Sequence, residues 1–163
     1  MLSFMVLLTL ALHPCLSVAD KKKLLGPCAE VGNEKQFQTF LDHHLRKGTP
    51  NSLKIGEWQS FINKIDTWDR PIQSFFPIKE YNNAIGVCST GGKIYGGRNL
   101  CISKKPLKFF DVTINEKKQV MDVKFRTDYV ILGCNKINNK CLPIHFEANE
   151  NGATPDNNKP NCS

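Results

Sequence analysis

The chain has 163 residues, with 22 Lys and Arg against 15 Asp and Glu and a formal charge of +7. That length suits one compact domain. Beyond the first dozen residues no apolar run approaches membrane length, which excludes a multispanning membrane protein.

Met1 to Leu12 is almost wholly apolar yet too short to span a bilayer, and Ser17-Val18-Ala19 supplies small residues for a signal peptidase. Residues 1–19 read as a secretory signal, so the protein is expected to be secreted and extracellular. Residues 20–32 form a polar leader carrying Cys28. Asn33 can cap a helix from about Glu34 to Lys47, ended by Gly48 and Pro50. Phe37, Phe40, Leu41, His44 and Leu45 recur at helical spacing, which puts His44 on the buried stripe and His43 off it. Ile55, Trp58, Ile62 and Ile65 mark a second helix, and Pro77 can open a third that runs to about Gly86 and packs Tyr81 and Ile85 inward. From Gly91 onward, glycine pairs and β-branched alternation predict strands over Asn99–Ser103, Phe109–Ile114, Val120–Thr127, Tyr129–Cys134 and Leu142–Ala148. Helices first and strands afterwards predict an α+β fold. Residues 149–163 read as a polar tail, pinned at Cys162 if that residue is bridged.

Cys15 would leave with the signal, and the remaining six cysteines in a secreted domain argue for three disulfides. No Cys-x-x-Cys pair is present and neither His43 nor His145 has a second ligand at helical spacing, so neither a metal site nor a cofactor is expected. His145 lies in Leu142-Pro143-Ile144-His145-Phe146-Glu147, where Pro143 rules out a helix interior and a short strand is predicted. One imidazole facing inward from a helix and another from a strand can meet in a cleft, as acid–base chemistry near neutral pH requires. The same frames equally suit two structural histidines with hydrogen-bond partners.

Phe40-Leu41-Asp42-His43-His44-Leu45-Arg46 resembles the first helix of the pancreatic-type ribonuclease (ribonuclease A) superfamily. Ala84-Ile85-Gly86-Val87-Cys88-Ser89-Thr90-Gly91-Gly92 followed by Gly96-Gly97-Arg98-Asn99-Leu100 is similar to the middle of its fish, amphibian and angiogenin-like members. Tyr129-Val130-Ile131-Leu132-Gly133-Cys134, then Leu142 to Ala148, resembles the closing strands. The resemblance runs from about Asn33 to Ala148 and is poorest between Gly48 and Asp69. It implies a ribonuclease A-like domain over residues 33–148, with three N-terminal helices packed on a curved antiparallel sheet linked by disulfides. It implies a Cys88–Cys134 bridge and leaves Cys28, Cys101, Cys141 and Cys162 open to three pairings.

The resemblance further implies cleavage of single-stranded RNA after pyrimidines, by attack of the 2′-hydroxyl on the adjacent phosphorus without a metal. His44 would be the base, His145 the acid, and activity would peak between their two pKa values near mildly acidic to neutral pH. Arg70 falls where the family's catalytic lysine stands, in Asp69-Arg70-Pro71-Ile72-Gln73-Ser74-Phe75, and a broad guanidinium fork is no match for a point ammonium. A rate loss of ~10²–10³-fold is expected from one misplaced transition-state contact. Ser74 would read the pyrimidine edge, Gln73 would support the site, His43 would touch phosphate, Phe146 matches, and Glu147 would orient His145. Two further disulfides usual in the family are missing at both ends, near Trp58 and Asp69 and near Asn115 and Val123. Apolar packing by Trp58, Ile62, Trp68 and Phe110, together with new bridges from the four other cysteines, is the expected replacement.

Charge permits a different reading: a non-catalytic cationic protein of this fold, acting in host defence, at a receptor, on acidic membranes or on heparin-like glycans; a monomer is expected in either case. Its bases gather at Lys21-Lys22-Lys23, Arg46-Lys47, Lys104-Lys105-Lys108, Lys117-Lys118 and Lys124-Arg126.

Overall fold

The computed structural model describes residues 26–65 and 70–163; the signal segment, Lys21 to Lys23, Trp68 and Asp69 lie outside the described residues. Helix α1 spans Glu34–His44. It opens with a capping box in which the Asn33 side chain accepts from the Gln36 amide and the Gln36 side chain accepts from the Asn33 amide, both at 3.0 Å. It closes at His44, ahead of the expected end at Lys47. The cause lies in the partners of its last carbonyls, which have none within a helix. The His43 carbonyl accepts from Gln73 Nε2 at 2.6 Å, and the His44 carbonyl from the Phe76 amide at 2.8 Å.

Helix α2 covers Ile55–Ile62 and buries Trp58, Phe61 and Ile62, while Ile55 in its first turn stays exposed. Trp58 satisfies its indole N–H on the Ser52 carbonyl at 2.7 Å. Strand β1, Ile72–Phe75, leads through Pro77 and a 3₁₀ turn at Ile78–Glu80 into helix α3, Tyr81–Gly86. Ala84 is the fully buried residue of α3, with Tyr81 and Ile85 partly buried against the core. Six more strands follow: β2 Gly92–Tyr95, β3 Leu100–Ser103, β4 Leu107–Ile114, β5 Val120–Asp128, β6 Ile131–Ile137 and β7 Lys140–Glu147.

The strands form two antiparallel sheets instead of one, in the orders β1-β4-β5 and β2-β3-β6-β7. Strands β1 and β2 are absent from the sequence-based expectation. The tail is not loose along its length: Ile94 donates to the Pro160 carbonyl at 3.1 Å and Cys162 to that of Gly92 at 3.3 Å, which lays the chain end along β2. Disulfides join Cys28–Cys141, Cys88–Cys134 and Cys101–Cys162. The second is the bridge the resemblance implied, and the other two resolve the open pairings.

The core has two parts. Phe40, Leu45, Phe76, Ala84, Val87, Phe109 and Leu132 surround the bridged cysteines Cys88–Cys134 and Cys101–Cys162. Trp58, Phe61, Ile62, Phe75, Phe110, Val112 and Val123 form the other. Neighbouring side chains alternate across an extended strand, so Phe75 enters one cluster and Phe76 the other. Trp58 is fully buried, with ring centroids of Phe61, Phe75 and Phe110 at 5.8, 5.5 and 5.4 Å. Trp58→Ala is expected to cost about 3–5 kcal/mol in denaturant unfolding. Non-reduced peptide mapping should recover the three bridges and no free thiol; a Cys88 peptide linked to a cysteine other than Cys134 would contradict the bridge that ties the chain after α3 to β6.

Candidate active site

A cleft of about 550 Å³ opens between α1, β1, the ends of β4 and β5, and β7. His44, Arg70, Gln73, Ser74 and Phe146, all expected from the sequence, line it together. Each is placed by a local rule. His44 is the last residue of α1 and faces β1 with the apolar stripe. Phe146 points inward from β7 and stacks on His44, centroids 5.2 Å apart and planes 27° apart. Phe76 and Phe109 close the other faces of Phe146 at 5.8 and 5.7 Å.

His44 is buried, and its Nδ1 lies 2.7 Å from the Ser74 carbonyl. A carbonyl only accepts, so Nδ1 must carry the proton in the neutral ring and Nε2 keeps its lone pair. Burial pushes the His44 pKa down to about 3. The Ser74 carbonyl opposes that fall, while the positive charges of His43, Arg70 and His145 add to it. His44 is therefore a neutral imidazole of fixed tautomer across the ordinary pH range.

Gln73 is buried and polar, its amide orientation fixed because Nε2 must face the His43 carbonyl. The Oε1 left over has no hydrogen-bond partner among the described residues. Ser74 Oγ donates to Asp111 Oδ1 at 2.6 Å across the β1–β4 pair, where the two residues stand opposite each other. Arg126 on β5 braces this acid, reaching Asp111 at 3.7 Å and Asp128 at 3.4 Å.

His145 departs from the inward placement read from its frame. Strand alternation gives the inward position to Phe146, and His145 stands exposed, outside the lining of the cleft. Its Nε2 is 3.0 Å from Glu147 Oε2, the next side chain on the same face of β7. His43 projects beside His44, with ring centroids 6.1 Å apart. Sequence reasoning missed Ile72, Asp111, Arg126, Asp128, Tyr129, Asn149 and Glu150 in the lining. The signal for Asp111 was its place as a polar residue inside Phe109-Phe110-Asp111-Val112, but its partner is legible only once β1 is known. Among the described residues no group of three or more His, Cys, Asp or Glu could hold a metal ion.

The His44 pKa has a consequence for stability. Its folded value, about 3, lies below the ordinary histidine value of 6.5. Between these two pH values the unfolded chain binds the extra proton, so stability is present above pH 6.5 and drains as pH falls toward 3. The slope from this group approaches about 1.4 kcal/mol per pH unit. His44→Asn, which keeps a donor near the Nδ1 position, should flatten urea-unfolding stability over that window; an unchanged slope would show that His44 is not the group responsible.

No family model and no curated protein matches the sequence. Solved structures do. The structure titled RNase ZF-1A superposes with a TM-score of 0.51 at 18% identity, over 71% of this chain and 92% of that one. The X-ray structure of SS-RNase-2 des116-120 gives 0.50 at 19% identity, over 70% and 97%. At such low identity the likeness speaks to architecture: the α+β arrangement of helices, antiparallel sheets and disulfides is a ribonuclease A-like fold.

Proposed function

We propose that the protein is a secreted, metal-independent endoribonuclease that cleaves single-stranded RNA after pyrimidines, with reduced activity. The observation that carries this reading is His44: a buried imidazole, neutral, its tautomer set by the Ser74 carbonyl, in a cleft it shares with Arg70. Such a group is unprotonated and so available as a general base, though burial weakens it, and its Nε2 takes the 2′-hydroxyl proton as the oxygen attacks phosphorus. His145, steered by Glu147, returns a proton to the departing 5′-oxygen. The required 2′-hydroxyl restricts the substrate to RNA. Arg70 supplies the cation for the charge that builds on the phosphoryl oxygens. With its proton held by Asp111, the Ser74 hydroxyl offers lone pairs, and the matching donor on a pyrimidine is the N3–H of uracil.

One observation favours a second reading. Lys104, Lys105 and Lys108 line a surface pocket that includes none of the cleft residues, which supports polyanion binding independent of catalysis. Under it, heparin elution should move to lower salt in Lys104→Ala/Lys105→Ala and stay unchanged in His44→Ala.

Polyuridylate and polycytidylate cleavage by the purified protein tests the enzyme. His44→Ala and His145→Ala should each remove nearly all activity, and His43→Ala should do less. Arg70→Lys should raise the rate about 10-fold, a part of the ~10²–10³-fold that one well-placed contact is worth. Because the free-enzyme profile of kcat/KM reports the free base, its acid limb should follow His44 toward pH 3 instead of lying near neutrality. No cleavage at any pH, by the native protein or by Arg70→Lys, would refute the enzyme reading.

A further inference from the structure

Arg70 lies on the wall of two concavities, the cleft and a neighbouring groove of about 670 Å³. Pro71 and Ile114 also line the groove, as do Asn115 to Gln119 of the turn that joins β4 to β5. The turn is held from several sides. Asn115 Oδ1 accepts from the amides of Lys117 and Gln119, both at 3.0 Å. Gln59 on α2 donates to the Lys118 carbonyl at 3.0 Å and accepts from the Val120 amide at 2.8 Å. Lys118 has φ 58°, a left-handed conformation that glycine would adopt with less strain. The backbone thus fixes two exposed lysines at the groove, one of them where a side chain is disfavoured.

We infer that this groove is a phosphate-tracking extension of the cleft: Lys117 and Lys118 bind phosphates of an RNA strand flanking the one at Arg70. This rests on the ribonuclease reading of the cleft. Continuity through Arg70 favours a strand that passes from one concavity to the other over a ligand confined to the groove. The exposed ring of Pro71 suits contact with ribose, while the lysines suit the backbone. Among the described residues Glu116 is the one acid in the lining, and it opposes binding.

Uncleavable 2′-deoxyuridine strands test this without requiring chemistry. The native protein should bind an octamer more tightly than a dinucleotide. Lys117→Ala/Lys118→Gly, in which glycine preserves the left-handed turn, should weaken octamer binding about 10-fold or more at 0.1 M salt. Its log–log salt slope should become shallower by about 1.4, two phosphate contacts at about 0.7 each. Dinucleotide binding, and cleavage of a ribodinucleotide, should be unchanged, and Glu116→Gln should strengthen octamer binding about 5-fold. An octamer bound no better than the dinucleotide, or bound equally by the double variant, overturns the inference. If heparin alone responds to the double variant, the groove belongs to glycans and the inference fails likewise. Failure of the ribonuclease reading shows itself separately, as absent polyuridylate cleavage by the native protein.

Discussion

The junction between the end of α1 and strand β1 is the contact on which the rest of the site depends. Three hydrogen bonds form it: Gln73 Nε2 to the His43 carbonyl, the Phe76 amide to the His44 carbonyl, and His44 Nδ1 to the Ser74 carbonyl. Two of them satisfy helix-end carbonyls that would otherwise need water. The third selects the imidazole tautomer. Stopping the helix, burying His44 and defining its free nitrogen are therefore one structural event. Any change that slides β1 against α1 alters all three together.

Strand β1 also divides the interior. Phe76 belongs to the cluster around Cys88–Cys134 and Cys101–Cys162, and Phe75 to the one around Trp58. Among the described residues none of the disulfides falls in the second cluster, which is where two bridges usual in the resembled family are missing. Trp58, Phe61, Phe75 and Phe110 pack there ring on ring, and Phe125 extends the stack from Phe110 at 5.0 Å. Large aromatic burial is a chemically different way to restrain the same part of a chain. Crosslinks raise the free energy of the unfolded state, whereas buried rings lower that of the folded one. The sheet holding His145 is thus covalently fastened, and the sheet holding Ser74 rests on packing.

Much of this was legible in the sequence where local signals agree with tertiary placement. Asn33 marks the start of α1, the glycine pairs and alternation mark β3 to β7, and the spacing of His44 within its apolar stripe predicts its burial. Strand β1 was hidden because its polarity runs backwards: apolar Ile72 is 55% exposed while polar Gln73 is 2% exposed. Gln73 is inside to serve a helix-end carbonyl, a need no local pattern announces. Asp111, across the sheet from Ser74, was lost with that strand. Strand β2 is four residues long, and its free edge is completed by the chain end, which a distant disulfide delivers. For His145 the apolar frame misled: in a strand the inward place alternates, and Phe146 occupies it.

The placement of the two histidines bears on how one residue type could fill two opposite roles. An acid–base pair needs one group that begins neutral and another able to begin protonated. His44 is made neutral by burial among Phe40 and Phe146, with the cations of His43, Arg70 and His145 opposing a further positive charge. His145 stands exposed with the Glu147 carboxylate at hydrogen-bond distance, a setting opposite to that of His44. On the proposed reading it is environment, not residue type, that would set the two histidines apart. The same reasoning bears on Arg70. Its charge lowers the pKa of the imidazole it stands beside, so the cation that would stabilise the transition state also keeps His44 unprotonated while weakening it as a base.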